Sequence, residues 1–196
     1  IINAFNLIDG SDGVAACLTL LVILGINIFQ IFFSDYNFNF LHIALIGSLL
    51  PFLFFNIIKS NKNKIFLGDS GSLFLGYSIA FLLLNETQVQ KTFSSSFAIW
   101  TIAIPLFDII SVILFRLYNG RSIFSADRSH LHHFLQKLGF SDIKVLLSII
   151  GLGLFFLILG LLIEIGERAL SLPIFTFLLI LNLWFRVFSK YKIYNF

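Results

Sequence analysis

Apolar residues dominate the chain in six long runs, which short polar stretches separate. The runs lie at about 13–33, 40–58, 70–84, 95–117, 143–163 and 172–188. Most approach the roughly 20 residues that a helix needs to cross a bilayer, but the third is short unless it includes residues 65–67. Pro51 and Pro105 fall inside two runs, where a kink is tolerated if neighbouring groups satisfy the freed carbonyl. The pattern predicts an all-α, polytopic membrane helical bundle with about six transmembrane helices.

The composition agrees with a membrane protein. Of the 196 residues, 58% are hydrophobic and only 12% are charged, and a soluble domain of this length cannot bury so much apolar surface. The connections are too short for a separate soluble domain, so residues 1–196 are predicted to form a single integral membrane domain. Because the chain opens inside a polar motif without Met, we expect an amino-terminal part to precede it.

The distribution of positive charge predicts the orientation. Eleven of the 13 Lys and Arg residues fall on one side of a six-helix topology: Lys59, Lys62, Lys64, Arg116, Arg121, Arg128, Lys137, Lys144, Arg186, Lys190 and Lys192. The other side has Lys91 and Arg168. The positive-inside rule then makes the larger group cytoplasmic. All the polar motifs described next are therefore expected on the same, cytoplasmic side.

The first polar motif is NAFNLIDGSDG, at residues 3–13. Asn6, Asp9 and Asp12 recur every three residues and would point the same way in a helix. Amides and carboxylates beside glycines that permit close backbone approach suit a nucleotide or a sugar diphosphate. An alternative of about equal weight is a turn that caps the first membrane helix.

The second motif is KIFLGDSGSLFLG, at residues 64–76. Asp69 stands between glycines at the predicted start of a membrane helix, where its carboxylate could hold Mg²⁺ that bridges a diphosphate. The alternative is a helix cap. The gathering of Asp9, Asp12 and Asp69 at one surface favours the metal hypothesis, whereas Lys64 and the two lysines before it are interpreted as membrane anchors.

The third motif lies in residues 119–140, the longest polar interruption in the chain. His130, His132 and His133 lie there close to Arg128, and imidazole with guanidinium groups suits anionic phosphate oxygens. The loop lacks the Cys residues or HExxH spacing that would predict zinc specifically. A solvated His-rich loop is the alternative interpretation.

One ionisable residue lies inside a predicted membrane helix. Asp108 falls about ten residues from the cytoplasmic end of the fourth run, near the middle of the membrane. An ionisable group at that depth indicates a functional role or a structural network. A transporter that uses Asp108 is one hypothesis, while His42 and Glu164, near the ends of their runs, are expected to need no special role.

The three motifs together resemble, in order and separation, signatures of the polyprenyl-phosphate N-acetylhexosamine-1-phosphate transferases, glycosyltransferase family 4. The third signature, at residues 105–139, resembles the branch that uses UDP-N-acetylglucosamine or related sugars for O-antigen, enterobacterial common antigen or teichoic acid linkage. The resemblance implies a bacterial inner-membrane enzyme of ten or eleven helices, of which this chain is the carboxyl-terminal part. It also implies transfer of N-acetylhexosamine 1-phosphate, most readily N-acetylglucosamine 1-phosphate, from a UDP-sugar to undecaprenyl phosphate with release of UMP.

The resemblance also implies roles for individual residues. Asp69 would ligate Mg²⁺, with Mn²⁺ as the alternative ion, and Asn6 and Asp9 would lie in the catalytic cleft. The residues that would border the uridine are Gly10, Ser11, Asp12, Asn56 and Phe66. Those that would contact the diphosphate or the sugar are His130, His132, His133 and Arg128. The implied partners are a UDP-N-acetylhexosamine, undecaprenyl phosphate and the lipid bilayer, with no nucleic acid, and a homodimer is compatible with them.

Two departures from the family pattern leave another hypothesis open. Ser11 stands where the family usually has Leu or Ile, and the adjacent Asp pair that the family carries in an earlier loop is absent from this chain. The chain alone is therefore expected to be inactive. The alternative is an inactive paralogue or accessory membrane protein that binds a UDP-sugar or polyprenyl phosphate without turnover.

Overall fold

The computed structural model describes residues 1–33, 39–58, 64–120, 122–123 and 130–193, without the side chains of residues 58 and 186–193. Every regular element in these ranges is helical, which confirms the all-α class. Four residues of the charge count and the predicted site lie outside the described ranges: Lys59, Lys62, Arg121 and Arg128.

Nine α-helices make up most of the described chain. They are α1 Ile2–Ile8, α2 Val14–Phe33, α3 Phe40–Leu53, α4 Gly68–Leu84, α5 Ser95–Thr101, α6 Ala103–Tyr118, α7 Leu131–Lys137, α8 Asp142–Ile165 and α9 Ser171–Ile193. Two π-helical turns extend α3 and α4, at Phe54–Ile58 and Asn85–Val89, and a 3₁₀ turn at Arg168–Leu170 precedes α9.

The predicted apolar runs all coincide with helices, but fewer than six of these helices meet the length and hydropathy of a membrane span. Within the described ranges, four helical stretches are long and apolar enough to cross a membrane, and a fifth qualifies if α5 and α6 count as one bent span. The four are Val14–Phe33, Phe40–Ile57, Asp142–Ile165 and Arg168–Phe185. Helix α4 has 17 residues, fewer than the roughly 20 that a straight span needs. The chain is thus a multi-pass membrane protein, while the total of six spans stays a prediction.

The fourth predicted run is a broken helix. Helix α5 ends at Thr101, Ile102 adopts φ −110° and ψ 20°, and α6 restarts at Ala103 after a bend of 81°. Pro105 falls in the first turn of α6, where an N–H group would lack an intrahelical acceptor in any case. The sequence allows a kink at Pro105 in this run, whereas the structure places the break three residues earlier, at Ile102.

Glycines let the helices approach closely where they cross. A Cβ on Gly76 of α4 would lie 2.8 Å from the Cα of Ile2 in α1, and one on Gly160 of α8 would lie 2.4 Å from the Cβ of Trp100 in α5. Small residues at crossings give membrane helices the close packing that stabilises them in lipid. The contact at Gly76 matters for the site, since α1 and α4 carry its first two motifs.

We expect Gly76→Ala to destabilise the protein by about 1 to 3 kcal/mol, because the new methyl group meets the backbone of Ile2, which cannot rotate away. Gly151→Ala in α8 is the matched control, since its Cβ would have nothing within 4 Å. The control should keep or gain stability through better helix propensity. Denaturation in detergent micelles measures both, and equal losses in the two variants would contradict the packing argument.

Two buried polar side chains correct the expectation that they need no special role. Glu164 of α8 accepts hydrogen bonds from the backbone N–H of Ser94 at 3.0 Å and from its hydroxyl at 2.6 Å, and pairs with Arg168 at 3.1 Å. His42 Nδ1 lies 3.0 Å from Asn27 Oδ1 of α2. Each joins two helices, because buried polar atoms need partners in an apolar environment.

Candidate functional site

The first two motifs line one open cavity of about 250 Å³. Its walls come from α1, the turn after it, the end of α3 and the start of α4. The lining residues are Asn6, Asp9, Gly10, Ser11, Asp12, Gly13, Phe52, Asn56, Phe66, Leu67, Gly68 and Asp69. The cavity therefore brings together every predicted site residue outside the His-rich loop, across more than 60 positions of sequence.

A turn, rather than a helix, makes the polar groups of the first motif converge. Helix α1 ends at Ile8, Asp9 leaves it with φ −73° and ψ 32°, and Gly13 has φ +71°. That positive φ is a conformation that glycine adopts without steric cost. The expectation that Asn6, Asp9 and Asp12 share a helical face is wrong, although all three line the cavity.

Asp69 lies in the first turn of α4, where the helix dipole favours a negative charge. Leu67 occupies the N-cap position, so the interpretation of Asp69 as the cap is wrong. The Asn6 amide reaches across from α1, donating to Ser72 Oγ at 2.9 Å and lying 3.5 Å from Asp69 Oδ1. Asn6 thus ties the first motif to the second at the floor of the site.

The carboxylates of the cavity repel one another. The pKa of Asp9 is raised to about 6, first by burial and then by the negative charges of Asp69 and Asp12. A bound cation would relieve this repulsion. The described residues contain no group of three or more His, Cys, Asp or Glu side chains that could hold a metal ion by themselves. Mg²⁺ commonly takes only one or two protein carboxylates and completes its shell with water and phosphate oxygens, so this donor set fits it.

The side of the cavity lined by Asp12 combines a cation with an aromatic ring. Lys64 forms an ion pair with Asp12, and its Nζ lies 5.7 Å from the centre of the Phe66 ring. The Phe66 side chain is 73% exposed, so one ring face is open to a ligand. Lys64 therefore pairs with a residue that lines the cavity, and its interpretation as a membrane anchor stays a prediction.

Asn56 supplies an acceptor to the same cavity. Its amide Nδ2 donates to the carbonyl of Ile65 at 2.7 Å. Its Oδ1 atom is buried and has no hydrogen-bond partner among the residues that the structure describes. Since a buried acceptor without a partner is unfavourable, this oxygen is suited to a ligand N–H or O–H group.

The His-rich loop meets the first motif through His132, which packs against Gly10 of the cavity lining. This side chain is 2% exposed, and a Cβ built on Gly10 would lie 2.2 Å from its Nε2 atom. The rings of His130 and His132 are nearly parallel, with centres 6.0 Å apart, and His133 follows at 4.1 Å from His132. The third motif therefore meets the first at Gly10. Arg128, predicted to act with these histidines, lies outside the described residues.

The environment of His132 favours its neutral form. Burial, then the neighbouring His133, lowers the pKa of His132 to about 4, although Asp108 opposes the shift. At neutral pH the imidazole therefore carries one proton. Its Nδ1 atom is buried and has no hydrogen-bond partner within the described part of the chain.

We expect His132 to make stability rise with pH between about 4 and 6.5. In that window the unfolded chain binds a proton at this histidine and the folded chain does not, so lower pH favours unfolding. Asp9, with a raised pKa, acts in the opposite direction. Unfolding midpoints of wild type and His132→Gln between pH 4.5 and 7 isolate the effect, since the variant curve should rise less. The matched change His133→Gln should keep most of the slope, and parallel curves for wild type and His132→Gln would contradict the pKa shift.

Asp108 has partners that its position in an apolar run did not identify. Its Oδ2 atom lies 2.8 Å from His130 Nδ1, and its Oδ1 atom accepts a hydrogen bond from the backbone N–H of Leu131 at 2.8 Å. Both side chains are buried, at 2% exposure for Asp108 and 6% for His130. The depth of Asp108 in a membrane helix indicated a polar network, but its partner His130 is 22 positions away in sequence, so no local pattern identified it.

Comparison with known proteins gives a consistent family. Residues 1–86 match the model of glycosyl transferase family 4. The chain is 36% identical over 143 residues to "Undecaprenyl-phosphate alpha-N-acetylglucosaminyl 1-phosphate transferase" of Escherichia coli strain K12, covering 72% of this chain and 39% of that protein. It is 31% identical over 192 residues to the protein of the same name from Yersinia pestis, covering 96% and 51%.

A protein of Bacillus subtilis is also similar to the chain. The chain is 38% identical over 181 residues to "Probable undecaprenyl-phosphate N-acetylglucosaminyl 1-phosphate transferase" of Bacillus subtilis strain 168, covering 92% of this chain and 50% of that protein. The chain thus spans about half the length, or less, of the curated relatives it matches. No solved structure matches it.

Proposed function

Since the chain belongs to glycosyl transferase family 4, we propose that its protein transfers N-acetylglucosamine 1-phosphate from UDP-N-acetylglucosamine to undecaprenyl phosphate and releases UMP. The observation that carries the proposal is the convergence of the first two polar motifs on one cavity, with His132 of the third motif packed against Gly10 in its lining. The printed names of the relatives support the same chemistry. The product would be the lipid-linked sugar on which a cell-envelope glycan is built.

The cavity offers separate groups for each part of a nucleotide sugar. The open face of Phe66 can stack on the uracil, and the Asn56 Oδ1 atom and the Asp12 carboxylate can accept from the uracil N3–H and from a ribose hydroxyl. Gly10 and Ser11 border the same space. On the far side of Gly10, His132 can bind the diphosphate or the sugar as a neutral imidazole.

Asp69 and Asp9, with the Asn6 amide beside them, would hold Mg²⁺ together with the diphosphate oxygens, and Mn²⁺ is the alternative ion. A divalent ion there would supply positive charge against the charge that develops on the phosphoryl oxygens. The ion would also balance the negative charges of Asp9 and Asp69, whose mutual repulsion contributes to the raised pKa of Asp9.

The reaction we propose is a phosphoryl transfer. A phosphate oxygen of the lipid attacks the β-phosphorus of the UDP-sugar, and the bond from that phosphorus to the bridging oxygen breaks, so UMP leaves with that oxygen. A phosphate monoester is already largely ionised at pH 7, so the attack needs no strong general base. The protein's contribution is to position both substrates and to balance charge. Asp9 therefore acts on metal or substrate rather than as a proton acceptor.

We also propose that the site faces the cytoplasm of a bacterial inner membrane. The positive-inside rule supports this orientation. Lys64 pairs with Asp12 of the cavity lining, and Lys137 and Lys144 flank the connection from α7 to α8. UDP-sugars are cytoplasmic metabolites, which agrees with such an arrangement.

The position of a labelled phosphate tests the proposal most directly. The complete gene product, purified in detergent, is given undecaprenyl phosphate, Mg²⁺ and UDP-N-acetylglucosamine that carries ³²P at its β-phosphate. We expect the label to move into the lipid with equimolar UMP release. Transfer of the sugar alone would instead leave the label in UDP. Binding of the nucleotide sugar without either product would favour the accessory role, and UDP-N-acetylgalactosamine in a parallel reaction tests the sugar.

A further inference from the structure

The carboxylate of Asp108 is buried beside the start of α7, and Asp108 is not among the residues that line the cavity. Asp108 lies in α6, six residues after the break at Ile102, and accepts from His130 Nδ1 and from the N–H of Leu131. Leu131 is the first residue of α7. One carboxylate therefore holds both a histidine ring and the N-terminus of the short helix that carries His132.

We propose that Asp108 is a positioning residue that fixes which nitrogen of His130 carries the proton and how α7 presents its histidines to the cavity. This inference rests on the proposed function for its catalytic meaning, although its structural part can be tested without turnover. Asp108 is not among the residues that line the cavity, and its contacts with His130 and Leu131 connect it to the start of α7.

The chemistry of the carboxylate explains the choice of Asp. An ionised carboxylate only accepts hydrogen bonds, so its two oxygens can serve Leu131 N–H and His130 Nδ1–H at the same time. In a neutral His130 the lone pair then lies on Nε2, since the proton is held on Nδ1. Such outer hydrogen bonds orient functional imidazoles and set their tautomer.

The position of His130 affects the histidine that packs against the cavity lining. The His130 ring is parallel to the His132 ring within 5°, and the His132 ring lies against Gly10 of the first motif. Only Leu131 separates the two histidines in the chain, so a shift of His130 at the start of α7 changes the position of His132 beside Gly10. Because Asp108 is 2% exposed and lies in a membrane helix, leaving it without partners would be unfavourable, which holds the loop against α6.

Asparagine at position 108 keeps the size of the side chain but replaces one acceptor oxygen by an NH₂ donor. In Asp108→Asn one oxygen can still accept from Leu131, but the amide NH₂ then faces His130 Nδ1 and needs an unprotonated nitrogen there. We expect the variant to move the His130 proton to Nε2. With it kcat for UMP release should fall about 100-fold, the size of effect that outer partners of functional histidines show, with a KM change of less than threefold.

The measurement is a ¹⁵N spectrum of the complete gene product labelled at histidine, of which this chain has four. His130→Gln assigns the signal, and the wild-type spectrum already decides half of the question. A wild-type His130 protonated at Nε2 and not at Nδ1 would overturn the proposal, whether or not Asp108→Asn folds. A protonated Nδ1 that loses its proton in Asp108→Asn supports it.

Ser111→Ala is the matched control on the same helix, because Ser111 also makes an interhelical hydrogen bond, to Asn182 at 2.9 Å. It should leave the His130 signals in place and change kcat less than threefold. Asp108→Asn with an altered His130 tautomer but wild-type kcat would overturn the catalytic part of the inference. If the wild type releases no UMP, the proposed function fails, and the spectra still decide whether Asp108 sets the tautomer.

Discussion

Asp69→Asn should lower UMP release by about 1000-fold or more, the largest effect that we expect from a single substitution. The change removes one negative charge from the start of α4 while it keeps the size of the side chain. In the proposed site that charge holds the divalent ion on the diphosphate, where the reaction develops negative charge. Asparagine is a much weaker ligand, so raising the Mg²⁺ or Mn²⁺ concentration should restore little of the activity.

The same substitution should make the protein without metal slightly more stable. Asp69 is one of the two carboxylates that raise the pKa of Asp9, so its loss relieves repulsion in the cavity. Asp142→Asn is the matched control, because Asp142 also lies in the first turn of a helix but contacts Gln136 outside the cavity. UMP release at several Mg²⁺ concentrations, with unfolding midpoints, measures both effects. If Asp69→Asn retained wild-type UMP release, the metal assignment would be wrong.

Gly10→Ala should lower activity by about 100-fold through crowding rather than through loss of a functional group. The added Cβ would lie 2.2 Å from His132 Nε2 and 2.4 Å from its Cε1, so the ring or the turn must move. His132 is buried, and the hydrogen bonds of Asp108 hold the start of α7 in place. A displacement of about 1 Å between groups that act on one substrate is enough for a loss of that size.

Two further variants separate this explanation from a general effect of alanine. Gly47→Ala in α3 places a methyl group where nothing lies within 4 Å, and it should be active and stable. Gly10→Ala combined with His132→Ala removes the clash. The double variant should regain the stability that Gly10→Ala loses, but not the activity. If Gly10→Ala alone were fully active, the close approach of His132 would be irrelevant to the reaction.

The interior of α6 shows how far a sequence argument reaches in a membrane protein. An Asp in an apolar run must have a partner, because lipid offers none, and that expectation was correct for Asp108. Which partner it has depends on how the 119–140 loop folds back, and nothing local in the sequence encodes that. The same holds for Lys64, whose ion pair with Asp12 joins residues 52 positions apart.

Local sequence patterns were less reliable where the same residues are compatible with two conformations, such as a helix and a turn. The spacing of Asn6, Asp9 and Asp12 fits a helix, yet the chain turns after Ile8, and Gly13 in that turn has a φ of +71°. In the same way an apolar run over 95–117 fits one helix, whereas the structure breaks it at Ile102. Hydrophobicity identifies which segment lies in lipid, but it does not show where the helix axis bends within that segment.

The sequence by itself determined that this is a helical membrane protein and where its apolar segments lie, and it predicted site residues of which eight line one cavity. These properties follow from composition and from short-range constraints, since every backbone polar group in lipid must be satisfied within a helix. Only the tertiary structure decided that α1 and α4 pack at Gly76, that His132 rests on Gly10 and that Asp108 holds His130. Those contacts join residues far apart in sequence, and close packing between specific helices selects them.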